Sequence, residues 1–222
     1  MIAAGCGNGK IHLVDALTGQ VKRSVNVDSR VWSVTYSPSG DTVAVGCDSG
    51  KVLLVDALTG QVKRSVNAHS DWVRAVSWSP CGKWLASGGD DKMVYIYDAQ
   101  TFEVKCPVTG HSRSVTSVAW NNDGTKLVSG SSDETVKIWS VGSAGTLECQ
   151  STLRGHSEDN QDCTCKHDAG EDEDEYESNP DCPVRGHSDS LSSVAFSADG
   201  QWVMSGSYDK TIRLWDTHAV AQ

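Results

Sequence analysis

Val73-Arg74-Ala75-Val76-Ser77-Trp78 is followed by Ser79-Pro80-Cys81-Gly82, then Lys83-Trp84-Leu85-Ala86-Ser87-Gly88, Met93-Val94-Tyr95-Ile96-Tyr97 and Phe102-Glu103-Val104-Lys105. Short runs of β-branched and aromatic residues, broken by Gly, Pro, Asp and Ser, predict four antiparallel strands joined by hairpins. The first turn recurs as Ser37-Pro38-Ser39-Gly40, Asn121-Asn122-Asp123-Gly124 and Ser197-Ala198-Asp199-Gly200. Proline, where present, presets φ, and the closing glycine supplies a positive φ. No segment shows helical periodicity.

The four-strand unit repeats along the chain. Val14, Val55, Tyr97, Trp139 and Trp215 hold equivalent places, 41, 42, 42 and 76 residues apart, so the period is regular except for one insertion. One such sheet cannot bury both faces alone, whereas stacked copies can, and this predicts a propeller or solenoid. The chain opens on the second strand of a unit, Ile2 to Cys6, and closes on the third strand of another, Thr211 to Trp215. The expected fold is all-β, with three full and two partial blades in an incomplete ring. It reads as part of a longer protein or a truncated gene model, with open sheet edges that invite pairing.

Polar residues recur at fixed spacing within the units. Gly110-His111 goes with Ser129, Asp133 and Trp139, and Gly186-His187 with Ser205, Asp209 and Trp215; His69, Ser87, Asp91 and Tyr97 form a weaker third set. Histidine to serine is 18 residues and serine to aspartate four in all three. These units resemble WD40 repeats, the β-propeller units of G protein β subunits and many scaffold proteins. The resemblance implies that the aspartate accepts from the histidine, which bonds the serine, which in turn bonds the indole. Three copies argue for architecture, since a catalytic triad needs one exposed nucleophile beside an oxyanion hole. The second unit has Asp28, Val45, Ser49 and Val55 at these places, and apolar packing alone is expected to hold it.

Asp15 to Asn26 recurs unchanged from Asp56 to Asn67. The phrase Gly9-Lys10-Ile11-His12-Leu13-Val14-Asp15-Ala16-Leu17-Thr18-Gly19 also resembles repeats of quinoprotein-like propellers. Those carry a docking tryptophan where this chain has Arg23 and Arg64, so the alternative of a quinone-dependent enzyme yields to a plain hairpin turn. In that turn the aspartate caps backbone N–H groups. Neither enzyme activity nor a cofactor is expected.

The net charge of −10 is local. Glu158 to Asp181 holds eleven acidic residues and one lysine, leaving 18 acidic and 18 basic residues elsewhere. Without a concentrated basic surface, nucleic-acid binding is not expected. Three segments follow: blades over 1–156, an acidic, self-repelling insertion over 157–181 expected to be disordered, and a last blade over 182–222. Cys163, Cys165, His167 and Cys182 within or beside the insertion have zinc-ligand chemistry, but their one-residue spacing departs from the usual pairs, and no metal is expected. The insertion is expected to be replaceable by a short Gly-Ser linker without loss of fold.

No apolar run is long enough for a membrane helix, and the start of the chain has no signal-peptide pattern. The cytoplasm, with the nucleus as alternative, is the expected compartment, and the eight cysteines read mainly as reduced packing residues. The expected function is a non-enzymatic scaffold that binds protein partners and assembles a complex; the alternative outside enzymology is a structural segment with no binding site of its own. The resemblance to WD40 rings implies that the residues just inside each first strand, and the one before the aspartate of each polar set, point toward the top rim. Here they are Arg30, Trp32, Trp72, Arg74, Asp90 and Tyr208, a group rich in interface anchors. A competing expectation is that Trp32 and Trp72 only pack between blades.

Overall fold

The computed structural model describes residues 1–154 and 186–217. Among them are five antiparallel sheets. The first contains β1 (Ile2–Gly5), β2 (Lys10–Val14) and β3 (Val21–Asn26). The second contains β4 (Val31–Tyr36), β5 (Thr42–Cys47), β6 (Lys51–Asp56) and β7 (Val62–Asn67), and the third β8 (Val73–Trp78), β9 (Trp84–Gly89), β10 (Met93–Asp98) and β11 (Val104–Thr109). The fourth is built from β12 (Val115–Trp120), β13 (Lys126–Ser131), β14 (Val136–Val141) and β15 (Leu147–Leu153), and the last from β16 (Leu191–Phe196), β17 (Trp202–Ser207) and β18 (Ile212–Asp216). Three four-stranded blades thus stand between two three-stranded ones. β4, β8, β12 and β16 touch in succession and line the axis of the arc.

The core lies between blades, as the repeat demands. Ile11 and Leu13 pack on Val31, Val43, Val45 and Val55; Val52 and Leu54 on Val73, Val76 and Leu85; Val128, Val136 and Ile138 on Leu191, Val194 and Val203. Burying each such side chain contributes about 1.5–3 kcal/mol, which makes stacking the main source of stability. Close approach depends on small residues. A Cβ on Gly46, Gly88 or Gly130 would lie 2.5–2.8 Å from Val73, Val115 or Val194 of the next blade.

Each inner strand carries a β-bulge near its start, at Val31/Ser33, Val73/Ala75, Val115/Ser117 and Leu191/Ser193. Further along these strands, bonds cross between blades: Val76 N–H donates to Ser33 Oγ (3.1 Å) and Val194 N–H to Ser117 Oγ (3.2 Å).

The turns follow their sequence signals. Gly40, Gly82, Gly124 and Gly200 all have φ of 72–75°. Asp15 Oδ1 accepts from the N–H groups of Leu17 and Thr18 (both 3.0 Å), and Asp56 and Asp98 cap their turns likewise. One expected strand start is wrong. Phe102 precedes β11 and sits at φ 61°, where the duplicated turns have Gly19 and Gly60. Its ring is buried and stacks on Tyr97 at 5.6 Å. Burying a phenyl ring, at about 1.5–3 kcal/mol, offsets a left-handed residue's cost of about 1–2 kcal/mol.

Candidate protein-binding surface

Three polar chains tie the loops above the blades to the sheets. His111 lies before β12, Ser129 on β13, Asp133 in the following turn and Trp139 on β14; the distances are 3.0 Å (His111 Nδ1 to Asp133), 2.7 Å (Nε2 to Ser129 Oγ) and 2.8 Å (Trp139 Nε1 to Ser129 Oγ). An indole can only donate, so Ser129 accepts from it and gives its own proton to Nε2, leaving Nδ1–H for the carboxylate. His187, Asp209, Ser205 and Trp215 repeat this at 2.7, 2.7 and 2.8 Å. In the third blade His69 reaches Asp91 at 2.8 Å and Ser87 at 2.7 Å, and Tyr97 Oη takes the indole's place at 2.7 Å from Ser87. All three serines have no exposed surface, a poor place for a nucleophile.

Burial pushes the Asp133 carboxyl up, but hydrogen bonds from His111, Thr135 and the Ser112 N–H outweigh it and hold the group well below the usual carboxylate range. At Asp209 burial is likewise overcome, by Thr211, His187 and the N–H groups of Thr211 and Ser188. Asp91 is lowered against burial by His69, with the N–H groups of Met93 and Ser70. Thr135 and Thr211 each bond the aspartate, at 2.6 and 2.7 Å, and this member was not recognised in the sequence; its signal was Asp-x-Thr in two units against Asp-x-Met in the third.

The second blade overturns the expectation of apolar packing alone. Ser29 Oγ donates to Asp48 Oδ1 (2.5 Å) and lies 3.0 Å from Ser49 Oγ, while Ser49 N–H donates to Ser29 Oγ (3.2 Å). A shorter tie thus links the same loop to the same turn, nearer the surface. The sequence search missed it because Ser29 is one place beyond the histidine position.

Five of the six proposed contact residues form one cluster on this top side. Trp32 at the start of β4 and Trp72 before β8 stack with centroids 5.2 Å apart, each 37% exposed. Arg74 places its guanidinium 4.3 Å from the Trp32 ring and 4.6 Å from Trp72, and Arg30 lies 5.6 Å over Trp32. Arg74 is held by a fork to Asp90, Nε to Oδ1 at 2.8 Å and Nη2 to Oδ2 at 2.7 Å. The indoles therefore do pack across two blades, yet each keeps part of its surface exposed. Tyr208 stands apart on the last blade, 70% exposed, because the intervening positions are Ser114, Thr116 and Ser132. Asp48, at the place of Asp90, is a further rim residue not singled out from sequence. The acidic insertion and Cys163, Cys165, His167 and Cys182 lie outside the described residues.

Residues 1–170 match the family model described as the second β-propeller of echinoderm microtubule-associated protein, and residues 180–216 match the WD domain, G-β repeat. The chain belongs to the WD40 β-propeller family. This WD40 chain is 68% identical over 34 residues to vegetative incompatibility protein HET-E-1 of Podospora anserina, which is 15% of this chain and 2% of that protein. Small ribosomal subunit protein RACK1 is 57% identical over 37 residues in Caenorhabditis elegans, covering 15% of this chain and 11% of that protein. In Drosophila melanogaster RACK1 is 46% identical over 48 residues, covering 22% and 15%. The WD40 chain thus spans at most 15% of the length of these curated relatives. A chain in a crystal structure of the mitotic checkpoint complex superposes with a TM-score of 0.75 over 97% of this chain and 58% of its own length, at 22% identity, and shares the fold.

Proposed function

We propose that the chain is a non-enzymatic protein-interaction scaffold that takes partners on its top face and helps assemble a complex, with Arg30, Trp32, Trp72, Arg74 and Asp90 as the main contact and Tyr208 as an outlying one. The observation that carries this reading is the pair of stacked, half-open indoles with Arg74 pinned against them. Rigid aromatic and arginine side chains lose little conformational freedom on binding and dominate interface hot spots. Family membership supports a binding role, and the buried serines support a chain without hydrolase chemistry. A cytoplasmic or nuclear setting is part of this reading.

Affinity capture with the 222-residue chain as bait, compared with its Trp72→Ala variant, tests the surface. Loss of at least tenfold in retained partner at an unchanged melting temperature supports it. Equal capture by both, or a loss that merely tracks unfolding, moves the interface elsewhere. Tyr208→Ala, in the same assay, is expected to have the smaller effect.

A further inference from the structure

The indole cluster has a charge pattern that bears on what it can hold. Val31 and Val73 occupy the same place at the bulges that open β4 and β8. Arg30 is therefore the counterpart of Trp72, and Trp32 of Arg74, so that cation and ring change places between neighbouring blades. The exchange brings two guanidinium groups onto one indole, with Arg74 at 4.3 Å and Arg30 at 5.6 Å from the Trp32 centroid.

The two cations differ in their partners. Arg74 donates through Nε and Nη2 to both oxygens of Asp90, which balances its charge. Arg30 is exposed and forms no ion pair among the described residues. The two turns beside it explain why. Asp48, at Asp90's place in the second blade, accepts from Ser29 Oγ. Gly7, at that place in the first blade, has no side chain, and Arg30 Nε lies 3.7 Å from where its Cβ would stand. Asp71 accepts the Trp72 N–H at 2.8 Å, and Asp28 accepts from Asn26 Nδ2 at 3.3 Å. Each acid of these loops and turns thus has a donor of its own, whereas Arg30 offers its donors to solvent.

This pattern selects among partners. A partner's lysine or arginine would seek ring faces that Arg30 and Arg74 already cover, and would meet like charge there. A carboxylate instead meets an open guanidinium, which binds it in a charge-assisted fork. An aromatic ring next to that carboxylate can lie on the half-open indoles. Single-stranded nucleic acid also stacks on aromatic rings, but it needs a track of cations along its backbone, and one free guanidinium is not a track.

We propose that the cluster selects an acidic segment of another polypeptide, in which a glutamate or aspartate pairs with Arg30 while a neighbouring aromatic side chain stacks on Trp32 and Trp72. The proposal rests on the reading of this cluster as the partner surface and makes Arg30 its specificity-determining residue. Arg74, held by Asp90, fixes the two rings in place.

The test follows the indole N–H signals of Trp32 and Trp72 by NMR in the isotope-labelled 222-residue chain, assigned with Trp32→Phe and Trp72→Phe. The probes are the peptide acetyl-Ser-Glu-Phe-Glu-Ser-amide, its counterparts with glutamine or lysine in place of glutamate, and a hexathymidylate. Saturable shifts of both indoles are expected, with the glutamate peptide at least about threefold tighter than the glutamine one. Arg30→Met is expected to erase that preference and Arg30→Lys to keep part of it, both at an unchanged melting temperature. Equal binding of the glutamine peptide, tighter binding of the lysine peptide or the hexathymidylate, or a glutamate preference that survives in Arg30→Met would overturn the acidic partner and leave the surface standing. If no probe moves either indole, the acidic partner and the partner surface fall together.

Discussion

The second and fourth blades have the same strands and registers but are tied to their loops in different ways. In the fourth, a buried chain from Trp139 through Ser129 and His111 to Asp133 runs the depth of the sheet, and its rim offers only Ser114, Thr116 and Ser132. In the second, Val45 and Val55 fill the corresponding interior, a surface tie through Ser29 replaces the chain, and the rim carries Arg30 and Trp32. The third blade has both devices, a polar chain ending in Tyr97 and a rim with Trp72 and Arg74. Interior ties and rim chemistry are therefore independent variables of one scaffold. The polar ties lie below the loops, and the indoles and arginines lie on them.

The comparison breaks most visibly at the indoles. Trp139→Phe removes the donor to Ser129 and part of a fully buried ring, and is expected to cost about 2–3 kcal/mol. Trp215→Phe, at a half-buried site, is expected to cost about 1–2 kcal/mol. Denaturant melts of both would check this; an unchanged midpoint for Trp215→Phe would mean that its bond to Ser205 contributes nothing to the last blade.

Acid should act on the polar chains next. Asp91, Asp133 and Asp209 are lowered in the folded state, so their contribution is fully present above the unfolded carboxyl value of about 4 and is lost as pH falls through the depressed folded values. Stability should therefore decline from about pH 5 downward, and Asp133→Asn should flatten part of that decline. Melting temperature against pH for the two proteins is the measurement, and parallel curves would refute the coupling.

A smaller effect is expected in the second blade. Ser29→Ala removes the tie to Asp48 and Ser49 near the surface, where water can replace it, and should cost about 0.5–1 kcal/mol. A loss as large as that of Trp139→Phe would mean that the second blade relies on polar ties as heavily as the fourth.

The smallest effect concerns thiols and should leave stability untouched. Burial, reinforced by Asp48, pushes the Cys47 thiol up to about 11, whereas Cys81 is exposed and lowered by the Ser79 hydroxyl. Alkylation at neutral pH followed by peptide mass mapping should modify Cys81 well before Cys47.

Much of this was legible in the sequence because repetition reports on packing. A side chain that returns every 41 or 42 residues with fixed partners 18 and four places away must occupy equivalent surroundings, and the strands and turns follow from that, while the bonding within the three polar chains follows from the resemblance to WD40 repeats. The substitutes were not legible. Ser29 stands one residue from the position its role predicts, and Phe102 takes a glycine's conformation because a ring beneath Tyr97 rewards it.

Sequence alone thus determined the five sheets of the described residues, their strand order and the positions of the three His-Ser-Asp sets, since each depends on local pattern and period. Tertiary structure alone decided that Trp32 and Trp72, forty residues apart, meet face to face with Arg74 against both, while Tyr208 stands apart. The same holds for the tie through Ser29. These depend on which side chains neighbouring blades bring within a few ångströms, and periodicity within one strand carries no record of that.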